Sequence, residues 1–223
     1  MSNTGPNLRS RSLWARHEAH FLAATRRALD ILRLNAPHPA DEVSLNRRLY
    51  FALLEANREL DPKGKYPPPV QEACNQPDPD DITRATRERK IPDFQWGFTD
   101  PHEPNVDQSA KQFLIECKRL GASGTKWVLN ENYANHGVLR FVDPAWGYAQ
   151  RFPSALMIGY WQNMTAPTIL LEVNKAAALK SIPALQLSPV GWLPNGVSEL
   201  AHTLTRTFPI SPFNLSHWWV DLR

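Results

Sequence analysis

The sequence predicts a single mixed α/β (α+β) domain spanning residues 1–223, and three observations carry that expectation. Two long stretches near the N-terminus repeat apolar side chains at helical spacing. Beyond residue 90 come apolar runs of strand length, IPDFQWGF, KQFLIECKRLG, ALMIGY and HWWVDL, separated by further helical or irregular stretches. A chain of 223 residues that is 42% hydrophobic builds one sizeable core, whereas two would be a stretch.

The elements follow in order. Residues 13–34 place Leu13, His17, Phe21, Ala24, Ala28 and Ile31 or Leu32 on one stripe, with arginines on the remaining face, so they read as an amphipathic helix. The prolines of NAPHP break it. A second helix begins near Asp41 and carries Leu45, Leu49, Leu53, Ala56 and Leu60 along one face. Residues 61–81 are rich in Pro and Asp and have no hydrophobic period; they read as a loop and as the best candidate for a mobile segment. IPDFQWGF and KQFLIECKRLG then read as two strands joined by a hairpin-like loop. An imperfect helical pattern over 126–141, a strand at 155–160, a helix at about 168–180 and a last strand in HWWVDL complete the chain, with 168–223 expected as an extension to the core.

Composition narrows the function classes. Lys and Arg number 25 against 22 Asp and Glu, and the net +3 is too small to announce a nucleic-acid binder by bulk charge, so any basic surface must be local. Cys74 and Cys117 are far apart and belong to no CxxC or Cys/His cluster, which argues against a disulfide framework or a structural zinc site and fits a reducing cytoplasm. No run is apolar enough to span a bilayer, and MSNTGPNLRSRS has no apolar signal centre; a cytoplasmic protein with no membrane partner is expected.

The chemistry concentrates in IECK. Side chains two apart on a strand share a face, so Glu116 and Lys118 project together with Leu114, while Phe113, Ile115 and Cys117 project oppositely. Apolar residues on both faces imply a strand buried within a sheet, where an unpaired charge is expensive and a bound cation offsets the cost. Asp93 lies in a Pro-Asp step at the start of the preceding strand, where a hairpin returns it beside Glu116. Two hard carboxylate oxygens at one point suit Mg²⁺, with Mn²⁺ as its substitute. Such a metal polarises a scissile phosphate and activates water, and a nearby ammonium orients that water or neutralises developing charge; Lys118 is that ammonium. Each residue alone also has a plain reading: a turn aspartate after proline for Asp93, and a same-face ion pair for Glu116 and Lys118.

IPDF, a spacer and IECK resemble the PD-(D/E)XK, or restriction-endonuclease-like, nucleases in residue types and strand context. More weakly, the helix before the motif strands, a helix after the lysine and the strand ALMIGY resemble the α-β-β-β-α-β core of that fold, over residues 41–160. The resemblance implies a mixed central sheet flanked by helices and a Mg²⁺-dependent endonuclease acting on nucleic acid, most readily DNA, in a prokaryotic or phage-defence setting. It also implies that Asp93 and Glu116 ligate the metal, that the carbonyl of Cys117 adds a ligand and that Lys118 assists the attacking water. Family members often bring a glutamate from an early helix. Glu42, three and seven residues before Leu45 and Leu49, is the fourth candidate, although an acid in the first turn also suits the helix macrodipole.

Arg84, Arg87, Arg89 and Lys90, with Arg47, Arg48, Lys111, Arg119 and Lys126, are candidates to line a phosphate-binding groove, against the plainer reading of a solvated surface. Most tryptophans read as core. GASGTK fails the phosphate-loop spacing, His102 and Glu103 lack the rest of a deaminase motif, HEAH at residues 17–20 is one residue short of HExxH, and His217 reads as structural. Nucleases that cut both strands often work as dimers, so a homodimer or a regulatory protein partner is a further expectation. The competing expectation is a non-catalytic nucleic-acid-binding or scaffolding subunit of a larger complex that keeps the fold.

Overall fold

In the computed structural model, which describes residues 8–78, 80–122 and 128–223, one seven-stranded mixed sheet separates two hydrophobic layers. The elements run α1 (Leu8–Leu34), α2 (Glu42–Leu60), β1 (Val70–Gln71), α3 (Arg84–Arg87), β2 (Phe94–Thr99), α4 (Val106–Ser109) and β3 (Ala110–Leu120). They continue with α5 (Leu129–Asn135), a 3-10 turn (Val138–Phe141), β4 (Ser154–Trp161), α6 (Ala166–Ala178), β5 (Gln186–Leu187), β6 (Val197–Leu204) and β7 (Phe213–Asp221). The strand order is β1-β2-β3-β4-β7-β6-β5. β1, β2 and β3 are antiparallel neighbours, β4 runs parallel to both β3 and β7, and β5 and β6 pair antiparallel beyond β7.

The alternation of β3 is what divides the layers. Phe113, Ile115 and Cys117 join Phe94, Trp96, Ile158 and Tyr160 under α1 and α2, whose Phe21, Leu29, Leu45, Leu49 and Leu53 are fully buried. Leu114 and Leu120 face the other way, into a layer with Met157, Leu215 and Trp219 from the sheet and Tyr133, Ile169 and Val173 from α5 and α6. Each fully buried Leu or Phe contributes roughly 1.5–3 kcal/mol through removal from water, so both layers hold the strands to their register. Among the described residues no helix is long and apolar enough to cross a membrane.

Several expectations change. The 168–223 extension supplies α6 and three strands, and β7 lies near the middle of the same sheet. The helical pattern over 126–141 breaks after Asn135, because the chain turns at Gly137 against its neighbours. A Cβ there would lie 2.5 Å from both the Met157 methyl and the Tyr133 carbonyl oxygen. Leu60, placed on the buried stripe of α2, is 48% exposed at the helix end. The Pro-rich excursion over 61–81 is tied to the sheet: the Trp96 indole donates to the Pro67 carbonyl at 2.8 Å, Gln95 donates to the carbonyls of Ala73 and Cys74, and β1 pairs with β2.

Candidate functional site

At the C-terminal part of β3, three elements bring acids and bases together. The β2–β3 ladder pairs Phe94 with Ile115, so the residue before Phe94 falls beside the one after Ile115. Asp93 thus meets Glu116 through hairpin register alone. Its Oδ2 accepts a 2.7 Å hydrogen bond from the Cys117 amide, and its Oδ1 accepts one of 2.9 Å from the Asn46 side chain of α2. Asn46 in turn accepts from the Tyr160 hydroxyl at 2.8 Å. A carboxylate fixed on both oxygens has one orientation.

Glu42 arrives from the first residue of α2, whose N-cap Asp41 accepts from the Ser44 amide at 2.8 Å. That cap fixes where the helix begins, and hence where Glu42 reaches over the sheet end. Its Oε1 lies 2.9 Å from Lys118 Nζ, and its Oε2 accepts from the Arg119 amide at 3.3 Å.

Lys118 Nζ sits where the acceptors converge: 2.9 Å from Glu42 Oε1, 2.9 Å from Glu116 Oε1, 2.7 Å from the Cys117 carbonyl oxygen and 3.9 Å from Asp93 Oδ2. Burial opposes its charge, but the three carboxylates outweigh burial and hold its pKa above the usual lysine range. Glu116 is fully buried, and burial first, then the Asp93 carboxylate, raise its pKa to about 8. Burial likewise raises Asp93 against the pull of Lys118. Glu116 Oε1 also accepts from Arg140 Nη1, while Glu116 Oε2 is buried without a hydrogen-bond partner.

Arg140, Asn46 and Tyr160 were not among the sequence candidates. Arg140 comes from the 3-10 turn after Gly137 and lies over the Trp146 ring at 4.3 Å from its centroid. A cleft of about 370 Å³ opens beside the cluster, lined by Glu42, Lys118, Arg119, Leu129, Asn132, His136 and Arg140. The turn at Gly137 presses against Lys118, which brings His136 and Arg140 to that cleft; a one-dimensional pattern carries no trace of such packing.

The basic candidates disperse. Arg119 lines the cleft, although its guanidinium donates to the Ala40 carbonyl. Arg84 pairs with Glu88, the residue that caps the end of its helix, at 3.1 Å. Arg87 is held by Asp81 and by the Pro144 carbonyl, so it acts as a tie between loops. Lys90 lies 4.5 Å from the Trp146 centroid, on the same indole as Arg140, and Arg89 is exposed. Lys126 and Trp127 fall outside the described residues.

The histidines His17, His20 and His217 have packing partners, and most of GASGTK falls outside the described residues. His17 stacks on Phe98 and His20 on Tyr66, at 3.8 and 3.9 Å between ring centroids. Buried His217 bonds both His202, at 3.2 Å, and the Tyr133 hydroxyl, at 2.9 Å. The two cysteines are free, and burial raises the Cys117 thiol, while its backbone amide and carbonyl bond Asp93 and Lys118 in the cluster.

Among the described residues no group of three or more His, Cys, Asp or Glu side chains is arranged to hold a metal ion. The oxygens that a cation would take surround the Lys118 ammonium instead. Fold and site together define a mixed α/β protein with a buried acid–lysine cluster at a cleft. No family model, curated protein or solved structure matches the chain.

Proposed function

We propose that this protein is a Mg²⁺-dependent nuclease of the PD-(D/E)XK class, cleaving phosphodiester bonds, most readily in DNA. The observation that carries the reading is the convergence of oxygens from Glu42, Asp93, Glu116 and the Cys117 carbonyl on one cation, the Lys118 ammonium. Apart from the four-residue helices α3 and α4 and the 3-10 turn, the succession α2-β1-β2-β3-α5-β4 has the α-β-β-β-α-β order that the family resemblance implies, and this supports the reading.

The donor set fits a hard divalent cation. All the donors are oxygen, Glu116 Oε2 is buried with no partner, and Mg²⁺ commonly takes only one or two carboxylates and keeps several waters. Asp93, Glu116 and the Cys117 carbonyl are the groups to hold it. When bound, Mg²⁺ supplies Lewis acidity toward the phosphate and a water of lowered pKa. Asn46 and the Cys117 amide keep Asp93 aimed at the cluster. Glu42 draws the Lys118 ammonium toward the cleft, where it orients the attacking water and neutralises charge gathering on the phosphate oxygens.

The test is incubation of the protein with DNA, and separately RNA, in Mg²⁺ or Mn²⁺, alongside Lys118→Ala. Cleavage by the wild type that Lys118→Ala and Asp93→Asn abolish is the expected result. Equal cleavage by wild type and Lys118→Ala rejects the assignment. A second reading, a non-catalytic nucleic-acid-binding or scaffolding subunit, is favoured by Lys118 and Arg140 already partnering Glu116. It requires a metal-free gel shift that Lys118→Ala leaves unchanged and no cleavage of any substrate.

A further inference from the structure

We propose that Arg140 is a lock on this site: its guanidinium holds Glu116 until a phosphodiester anion in the adjoining cleft draws it away, so that divalent metal and nucleic acid bind cooperatively. This deepens the nuclease reading and rests on it.

The fully buried Glu116 serves two cations at once through Oε1, Lys118 Nζ at 2.9 Å and Arg140 Nη1. The cluster already sets two cations against the three carboxylates of Glu42, Asp93 and Glu116. Adding a divalent ion with both residents in place turns the net charge of the cluster from negative to positive around the fully buried Glu116, where water screens poorly, which is unfavourable. One resident must let go of Glu116.

Lys118 is the worse candidate to leave. It is held on Glu42 and on the Cys117 carbonyl as well as on Glu116. Arg140 has a way out. It lines the cleft with Arg119, Asn132 and His136, and its guanidinium rests over Trp146 at 4.3 Å, a cation–π seat that does not depend on which anion the guanidinium bonds. Its planar fork of donors matches two oxygens of a phosphate better than the single carboxylate oxygen it now holds. Lys90, 4.5 Å from the centroid of the same indole, adds a second positive charge near that position. A phosphodiester therefore competes for Arg140 from the cleft side, and Glu116 is freed for the metal. Linkage makes the effect reciprocal: whatever factor the nucleic acid adds to metal affinity, the metal adds to nucleic-acid affinity.

The experiment measures Mn²⁺ binding to the full chain by electron paramagnetic resonance, with and without a phosphorothioate-linked oligonucleotide that resists cleavage. Wild type is expected to bind Mn²⁺ at least about fivefold more tightly with the oligonucleotide present, the lower end of ordinary coupling factors. Arg140→Gln is expected to bind Mn²⁺ alone more tightly than wild type does, and to gain less than about twofold from the oligonucleotide. Arg140→Lys keeps the charge on Glu116 without the fork and should retain weak metal binding with reduced coupling. If Arg140→Gln fails to fold by thermal melting, Arg140→Lys and Trp146→Leu, which removes the aromatic seat, decide the matter through the same loss of coupling. Equal Mn²⁺ affinity in wild type with and without oligonucleotide, or undiminished coupling in the Arg140 variants, overturns the lock while leaving the nuclease reading intact if cleavage persists. Mn²⁺ binding to none of the proteins under any condition overturns the nuclease reading, and the lock with it.

Discussion

Two polar networks draw on the same face of the strands, through Glu116 and His217 on either side of Met157, and they are built on opposite principles. In the first, His202 Nε2 meets the Pro183 carbonyl oxygen at 2.6 Å, His202 and His217 bond each other, His217 meets the Tyr133 hydroxyl, and the Trp219 indole donates to that hydroxyl at 3.1 Å. Every member of this chain is neutral and partnered, the condition under which buried polar groups specify a packing without penalty. The second is the cluster of Glu42, Asp93, Glu116, Lys118 and Arg140, which is charged, opens on a cleft and leaves Glu116 Oε2 without a partner. A network completed within the chain is architecture; one that retains an unsatisfied buried oxygen beside an opening is prepared for something from outside.

Substitutions can set the two networks against each other. The largest effect is expected from Lys118→Met. It removes the ammonium shared by Glu42, Glu116 and the Cys117 carbonyl, and breaking a buried ion pair on one side costs about 3–5 kcal/mol. Denaturant unfolding should register that loss, and nucleic-acid cleavage should fall by on the order of a hundredfold or more.

Acid should attack the other network. Burial lowers His202 to about 4, partly offset by the Pro183 carbonyl, and burial and then His202 lower His217 well below the usual histidine value. Both are neutral in the fold. As the pH falls below about 6.5 the unfolded chain takes up protons that the folded chain refuses, so stability drops from there down to about pH 4, by on the order of 3 kcal/mol for His202. Melting temperatures measured between pH 7 and 4 should show this slope, and His202→Gln should flatten it. A slope unchanged in that variant would mean that other groups govern acid stability.

Tyr133→Phe tests the same chain at neutral pH. It leaves His217 and the Trp219 indole without their shared partner and should cost about 1–3 kcal/mol in thermal or chemical unfolding. Cleavage measured well below the melting temperature should be unaffected if the two networks are independent. The smallest effect on stability is expected from Glu42→Gln. Glu42 has a side chain 31% exposed, so its pair with Lys118 contributes under about 1 kcal/mol. Cleavage should nonetheless decline, which would separate the helix's part in the site from its part in the fold.

Legibility from sequence followed how far apart in space the sequence's own rules reach. Asp93, Glu116 and Lys118 were legible as one group because a hairpin and the two-residue period of a strand fix their relation locally, as the Phe94–Ile115 pairing shows. Glu42 was legible as a buried-face acid, and its side chain meets Lys118. Asn46 and Arg140 were not legible: which residue of α2 lies over Asp93, and which of the 3-10 turn lies against Glu116, depends on how helices seat on the sheet. β6 left a signal that was missed, since VSELAHTL alternates between buried Leu200, His202 and Leu204 and exposed Glu199, Ala201 and Thr203. The basic run from Arg84 to Lys90 left a phosphate groove and a solvated surface both open, because composition does not reveal that Arg84 and Arg87 have acidic partners.

The N-terminal position of Glu42 on α2 carries a consequence for the order in which the molecule matures. Glu42 and Asn46 reach the site across 76 and 47 residues of chain, to Lys118 and Asp93 respectively, and only when the helical layer has settled on the strands. Contacts so distant along the chain cost more loop-closure entropy than a hairpin does, and we expect them to form after it. A half-folded chain carrying a finished β2–β3 hairpin therefore has two of the acids and the lysine but not the residues that hold them in place, so on the nuclease reading proposed above a newly made molecule would not cleave nucleic acid until its last layer closes.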